Sequence, residues 1–257
     1  TPAIAAEKAW QPRAPRIKHA LLHYSADLLA LQEVQCDING PTDDVVPMQW
    51  PGVYTCDGPT SSGGGDGELQ GKALGRAVSA ASGAGSHRQW LHRCLTGAGY
   101  DVLFAPRWLA AAEGASAGAE PSRRSNFGNL LAWKKGTFSC LGTFMVHLGE
   151  AAQVVGSGVA AAMPKWAYPQ VAPVALLRHA GTGCTLLATS VHVTANWRQP
   201  FTQLLQSMGL SCALCSLVSH TDAGSVCALG DFNSLPSAAS YEWMVNASLL
   251  RSNAAVQ

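Results

Sequence analysis

The sequence has few charged and few aromatic side chains. Asp, Glu, Lys and Arg make up 13% of its 257 residues, Phe, Trp and Tyr make up 7%, and the formal net charge is +1. Proteins that bind nucleic acids or membranes over a broad surface usually cluster Lys and Arg, and this composition provides no such excess. An enzyme that meets a few phosphate groups through a metal ion would not need that excess.

Long apolar runs and targeting signals are also missing. No run reaches the roughly 18 to 20 residues needed to cross a bilayer, so we expect a soluble protein without a membrane partner. The chain begins at Thr1, without an initiator Met or a secretory signal, which indicates a fragment or a processed form. We expect a cytoplasmic or nuclear protein, with an organelle as the alternative.

Hydrophobic periodicity predicts helices and strands along the chain. Pro12 and Pro15 are expected just before the helix at residues 16–24, and Gly209 is expected to weaken the helix at residues 203–219. An irregular segment is expected before residue 172. The helices are expected at residues 16–24, 87–98 and 203–219, with a fourth starting at Pro236. Strands are expected at residues 27–34, 100–105, 127–133, 137–146, 172–178, 184–193 and 226–229.

The order of these elements predicts the fold class. Residues 127–133 and 137–146 are interpreted as a hairpin, residues 172–178 and 184–193 as a second strand pair, and residues 27–34 as a central strand. Hairpins with helices at both ends predict an α/β (α+β) four-layer sandwich of two mixed, mainly antiparallel sheets flanked by helices. One incomplete domain, residues 1–257, is expected, with low-complexity insertions at about 37–86 and 110–125.

Polar side chains follow three of the predicted strands. Asp231 and Asn233 lie two residues apart at the end of a strand interpreted as buried, so both project toward one side. Gln32 and Glu33 end the first strand, and His192 lies near the end of another. A carboxylate and an amide just beyond a strand are a plausible site for a metal ion, a water or a phosphate.

Three segments carry a resemblance to a known family: Leu31-Gln32-Glu33-Val34, Ser190-Val191-His192-Val193, and Gly230-Asp231-Phe232-Asn233-Ser234-Leu235-Pro236. In this order they resemble the endonuclease/exonuclease/phosphatase superfamily, metal-dependent enzymes that hydrolyse phosphoester bonds. Within it, residues 24–34 and 230–236 are similar to deadenylases of the carbon catabolite repressor type, whose relatives include nocturnin, angel and the 2′,5′-phosphodiesterase. In those enzymes a Gln follows the motif His at a fixed spacing, and Gln206 keeps that spacing from His192.

The resemblance implies a role for each candidate residue. Glu33, with Asp231 nearby, would hold Mg²⁺, with Mn²⁺ as the alternative. Asp231 would also orient or deprotonate the attacking water, Asn233 would donate a hydrogen bond to the phosphate, and His192 would hydrogen-bond the phosphate or protonate the leaving oxygen. Substrate-binding residues are expected to be Gln32, Asn196 and Trp197, because a base could stack on the indole of Trp197.

The resemblance also sets expectations for the ends of the domain. The family begins with a strand that carries an Asn near the metal and closes with a Ser-Asp-His segment that supplies a catalytic His. Neither is found in this sequence, where Ser190-Val191 also replaces the family's usual Asn-Thr before His192. We expect the closing His to lie beyond Gln257.

We therefore predict a Mg²⁺-dependent 3′-5′ exoribonuclease acting on the poly(A) tail of RNA, with a larger mRNA-decay complex as a further expected partner. Another phosphoester is the first alternative: 2′,5′-linked oligoadenylate, abasic DNA or a phosphoinositide. A non-catalytic module that binds RNA or a protein partner through a degenerate site is the second.

Overall fold

The computed structural model describes residues 10–35, 87–107, 127–155, 170–195 and 200–246. Both predicted insertions, at about 37–86 and 110–125, lie outside the described residues. The elements are α1 (Trp10–His23), β1 (Leu28–Gln35), α2 (His87–Gly97), β2 (Tyr100–Pro106), β3 (Phe127–Lys134), β4 (Phe138–His147), α3 (Leu148–Val155), β5 (Val171–His179), β6 (Thr185–His192), α4 (Pro200–His220), β7 (Ser225–Asp231) and α5 (Ala239–Asn246).

The described strands form two sheets. The first has the order β1-β3-β2 and is antiparallel throughout. The second has the order β4-β5-β6-β7 and is antiparallel except for the parallel pair β6/β7, so it is a mixed sheet. Helices α1 and α2 pack with the first sheet, and α3 and α4 pack with the second. The predicted α/β four-layer sandwich is confirmed.

The core is built by strands that are apolar on both faces. Along β3, Leu131 and Trp133 face the second sheet, where they pack with Ala175, Leu177 and Ala188. Leu130 and Ala132, at the alternating positions, pack in the cluster on the helix side of the sheet. Burial on both faces explains why these strands have nearly continuous apolar sequences.

The predicted hairpin of β3 and β4 is wrong. These two strands belong to different sheets, because β3 pairs with β1 and β2 while β4 pairs with β5. The turn at Lys134–Thr137, closed by a hydrogen bond of 3.1 Å from the Thr137 N–H to the Lys134 carbonyl, leads the chain from one sheet to the other. Trp133 and Phe138 then meet in the cluster between the sheets. Burying both side chains there is the physical reason for the crossing.

Two strands predicted to be buried are edge strands within the described part of the chain. β1 lies at the edge of its sheet, not at its centre, and β7 lies at the edge of the other. Val226 of β7 is 43% exposed. The apolar runs are not fully buried either: Val34 is the only buried residue of β1, and every residue of β7 is at least partly exposed.

Three helix predictions need correction. Helix α1 begins at Trp10 and includes Pro15, which was expected to precede it; the packing of Ile17 and Leu21 on the first sheet offsets the hydrogen bond that this Pro cannot donate. Helix α3 lies in a segment predicted to be irregular. Helix α5 begins at Ala239, after a turn at Pro236.

Gly209 is a contact point between helices. A Cβ at this position would lie 2.4 Å from the Ala151 carbonyl carbon, so glycine lets α4 approach the backbone of α3 closely. The residue predicted to weaken α4 therefore allows its packing.

Among the described residues, α4 is long and apolar enough to span a membrane by length and composition. The expectation that no segment reaches this length is wrong for α4. More than half of its most apolar segment is buried, and Leu210, Leu214 and Leu217 pack on the second sheet. A core helix meets the same criteria, so this is weak evidence for a membrane span.

Candidate active site

The predicted site residues that the structure describes lie at one edge of the sandwich, where β1, β2, β6 and β7 have their carboxyl ends. Two hydrogen bonds join the sheets near this edge. The Gln32 Nε2 donates to the Ser190 Oγ over 3.1 Å, and the Asn129 Nδ2 donates to the Val171 carbonyl over 2.8 Å. Each sheet therefore contributes side chains to one site.

His192 and Asp231 are neighbours across the parallel pair β6/β7. Their Cα atoms are register partners, and His192 is only 6% exposed. The preceding Gly230 has φ +144°, and a Cβ there would lie 2.0 Å from the Val191 carbonyl oxygen. The Gly-Asp sequence thus lets β7 approach β6 closely enough to place the carboxylate beside the imidazole.

Glu33 lies in a β-bulge near the end of β1. Between the Leu31/Leu130 and Val34/Gly128 pairs, β1 advances three residues while β3 advances two. Glu33 has φ +55°, which is strained for a residue other than glycine, and its side chain is exposed. The bulge frees this carboxylate from the regular alternation of the strand.

Asn233 is held by its own loop. Its φ is +47°, its backbone N–H donates to the Asp231 Oδ1 over 2.8 Å, and its Nδ2 donates to the Val193 carbonyl over 2.7 Å. One Nδ2 hydrogen remains for a ligand, so the predicted bond to phosphate remains a prediction.

Two buried glutamines of α4 hold the loops that follow β6 and β7. The Gln203 Nε2 donates to the carbonyls of Thr194, at 3.1 Å, and Asn233, at 2.9 Å. The Gln206 Oε1 accepts from the Thr194 N–H at 2.9 Å. Gln206, which the family spacing singled out, therefore holds the backbone just after His192.

Arg107 is a site residue that the sequence prediction missed. It follows β2 directly, and its Nε is buried without a hydrogen-bond partner among the described residues. Burial lowers the pKa of its guanidinium, and the charge of Glu33 opposes that change. Its position shortly after a predicted strand is a weak signal, because nothing in the local sequence places it beside Glu33 or His192.

The same groups set the protonation of His192. Burial is the main cause that lowers the pKa of its imidazole, and the charge of Arg107 lowers it further. Glu33 and Asp231 raise it, but by less. The ring is therefore neutral at neutral pH, with a cation and two carboxylates close enough to affect it.

The remaining predicted residues are placed in part. Gln32 lies under the site, where its amide contacts Ser190. Asn196 and Trp197 lie outside the described residues, so their expected contact with substrate remains a prediction. The described part of the chain contains no group of three or more His, Cys, Asp and Glu side chains that could hold a metal ion.

Solved structures share this architecture. ANGEL2, a 2′,3′-cyclic phosphatase in complex with adenosine-2′,3′-vanadate, superposes with a TM-score of 0.55 at 21% identity, over 92% of this chain and 48% of its own. The human Nocturnin catalytic domain with bound sulfate gives 0.54 at 15% identity, over 93% and 63%. An endonuclease/exonuclease/phosphatase family protein from Bacteroides thetaiotaomicron gives 0.56 at 12% identity, over 96% and 63%.

The chain has the endonuclease/exonuclease/phosphatase fold. This confirms the fold that the sequence resemblance implied. No protein-family model and no curated protein matches the chain. The chain spans about half of the ANGEL2 chain and less than two thirds of the other two. At these identities, the likeness establishes the endonuclease/exonuclease/phosphatase fold alone.

Proposed function

We propose that this protein is a metal-dependent phosphodiester hydrolase, and specifically a 3′-5′ exoribonuclease that shortens poly(A) RNA. The observation that carries the proposal is that Glu33, Arg107, His192 and Asp231 meet at one edge of the sandwich. The charges of the other three residues act on the pKa of His192. Carboxylates, a neutral imidazole and a guanidinium are the groups that a phosphodiester hydrolase needs.

The donor set fits Mg²⁺, with Mn²⁺ as an alternative. Mg²⁺ usually keeps several waters and binds one or two carboxylates together with substrate phosphates. Glu33 offers an exposed carboxylate, with Asp231 as the second acid. A cage of protein side chains is neither found among the described residues nor required. When bound, the ion would neutralise charge on the phosphoryl oxygens.

The chain's own residues divide the remaining work. One Asp231 oxygen accepts the Asn233 N–H, so the other is available to orient the attacking water and take its proton. His192 has a lowered pKa, which favours a neutral ring that donates a hydrogen bond to the phosphate over an acid that protonates the leaving oxygen. Arg107 stays cationic, because guanidinium groups do not deprotonate in proteins, and would contact a phosphate oxygen.

The preference for RNA ending in poly(A) draws on the resemblance to deadenylases. The solved ANGEL2 complex with adenosine-2′,3′-vanadate supports an adenosine-bearing substrate. It also favours a second candidate reaction, hydrolysis of a 2′,3′-cyclic phosphate at an RNA end. A larger mRNA-decay complex and a cytoplasmic or nuclear location remain predictions.

The test uses the full-length protein and a 5′-labelled RNA ending in poly(A). We expect stepwise shortening with Mg²⁺ and none with EDTA, and expect Glu33→Ala and Asp231→Ala to abolish it. Asp101→Ala is the matched control, because Asp101 pairs with Lys135 at the opposite edge of the sandwich. Equal shortening by the Glu33 variant and the control would refute the assignment.

The same variants separate the two candidate reactions. A second RNA carries a 2′,3′-cyclic phosphate at its end. Loss of that phosphate without shortening of either RNA would select the cyclic phosphatase reaction.

A further inference from the structure

Phe127 is a large apolar side chain at the edge of the sandwich where the candidate site lies. It is 37% exposed, whereas Leu130 and Leu131 farther along β3 are fully buried. The hydrolytic roles described above do not use it.

The alternation of β3 indicates which way Phe127 faces. Leu131 and Trp133 pack between the two sheets, and Asn129 reaches across to the Val171 carbonyl of the second sheet. Residues two apart in a strand share a face, so Phe127 lies on this same face. Phe127 is the first residue of β3, and its ring is partly exposed there.

The neighbours of Phe127 belong to the site. Its carbonyl accepts the backbone N–H of Arg107 over 3.1 Å. Its register partner on β1 is Gln35, which lies two residues beyond Glu33. An exposed aromatic ring therefore lies beside the cation and next to the bulge that carries the carboxylate.

This combination suits one chemical class of substrate. Proteins that bind single-stranded nucleic acids place bases on exposed aromatic rings beside a positively charged groove, and every nucleobase offers a planar face for stacking. An inositol or a sugar ring has no π face and would contact the aromatic ring only through its C–H groups, so the abasic oligomers below separate base stacking from sugar contact.

We propose that Phe127 is a stacking platform for a nucleobase next to the scissile phosphate, and that the substrate is a nucleotide chain. This inference rests on the proposed function, because it takes the phosphate to lie among Glu33, Arg107 and His192.

The test measures kcat and KM of the full-length protein on a short labelled oligoadenylate. Two further oligomers each carry one abasic nucleotide, on the 5′ or the 3′ side of the scissile phosphate. Phe127→Ala raises KM roughly 5- to 100-fold, the range for losing one stacked base, with kcat nearly unchanged, and Phe127→Trp restores KM. The matched control is Tyr24→Ala, because Tyr24 is 81% exposed and precedes the opposite end of β1.

The abasic oligomers identify stacking as the cause. At the stacked position, loss of the base removes the difference between wild type and Phe127→Ala. The same KM in Phe127→Ala and Tyr24→Ala would overturn the proposal. So would a Phe127→Ala variant whose KM rises above that of the wild type by the same factor on all three oligomers.

Failure of the hydrolase assignment gives a different result. Glu33-dependent hydrolysis of bis(4-nitrophenyl) phosphate without turnover or binding of oligoadenylate would leave a hydrolase and overturn the platform. If no substrate is turned over, anisotropy measures oligoadenylate binding instead. Weaker binding by Phe127→Ala than by Tyr24→Ala would support the platform, and equal or undetectable binding would overturn it.

Discussion

The two sheets contribute unlike halves to the site. The four-stranded sheet supplies His192, which is buried, and Asp231 and Asn233, which hydrogen bonds within the β7 loop and from α4 hold in place. The three-stranded sheet supplies Glu33, in an exposed and strained bulge, and Arg107, with a buried nitrogen that has no described partner. Hydrogen bonds of the fold hold the first half in place before substrate arrives, although Asp231 and Asn233 each keep one group for a ligand. The described hydrogen bonds do not hold the carboxylate of Glu33 or the Nε of Arg107.

The largest expected effect breaks the fixed half. In Gly230→Ala the new Cβ would lie 2.0 Å from the Val191 carbonyl oxygen, so β6 and β7 must separate. We expect a loss of roughly 3 kcal/mol or more in the free energy of unfolding, measured with urea. Gly136→Ala is the control, since no atom lies within 4 Å of its Cβ. Equal stability of the two variants would contradict the close approach.

A smaller loss is expected where α4 holds the loops. Gln203→Leu removes the donor shared by the Thr194 and Asn233 carbonyls and should cost about 2 kcal/mol of stability. Amide hydrogen exchange at Thr194 should also become faster. Cys215→Ala on the same helix, an exposed position, should change neither quantity. Because the Thr194 N–H keeps its bond to Gln206, unchanged stability of the Gln203 variant is the result that would show that the Gln203 bonds do not hold the loops.

The exposed half should respond in the opposite direction. Asn tolerates positive φ better than Glu does, so Glu33→Asn should stabilise the protein by about 0.5 to 1 kcal/mol while abolishing hydrolysis. Glu33→Val should also be inactive but destabilised, because a β-branched residue fits φ +55° poorly. Thermal unfolding of both variants measures this contrast. A destabilised Glu33→Asn would mean that the bulge is not strained.

The smallest effects concern the charges around His192. Arg107→Gln should raise the pKa of the imidazole, and Glu33→Gln should lower it, because these charges act on it with opposite signs. NMR titration of the ring in metal-free protein measures both. Shifts of the same sign would place one of the two groups away from His192.

The lowered pKa of His192 also affects stability. The imidazole binds a proton more readily in the unfolded chain than in the folded protein. The contribution of His192 to the free energy of unfolding is therefore lost as pH falls from the ordinary pKa of about 6.5 toward the lower folded pKa. His192→Asn should reduce this part of the decline, as measured by urea unfolding between pH 7 and pH 5.

Sequence reasoning succeeded where a local pattern has a local cause. The apolar run before Gln32 and Glu33 and the run before Asp231 are strands, and both deliver polar residues to one edge of the sandwich. It failed where the cause is distant. The turn at Lys134–Thr137 has the sequence of a hairpin, but the residues around it pair with strands elsewhere in the chain. Arg107 was missed because its neighbours Glu33 and His192 are remote in sequence.

The sequence by itself determined the fold class and the polar ends of the strands, because strand periodicity and burial are written in consecutive residues. Only the tertiary structure decided that β3 and β4 lie in different sheets, that Gly209 and Gly230 are points of close approach, and that Gln203 joins two loops. These features depend on which surfaces meet across long separations in the chain, and a local pattern does not record its distant partner.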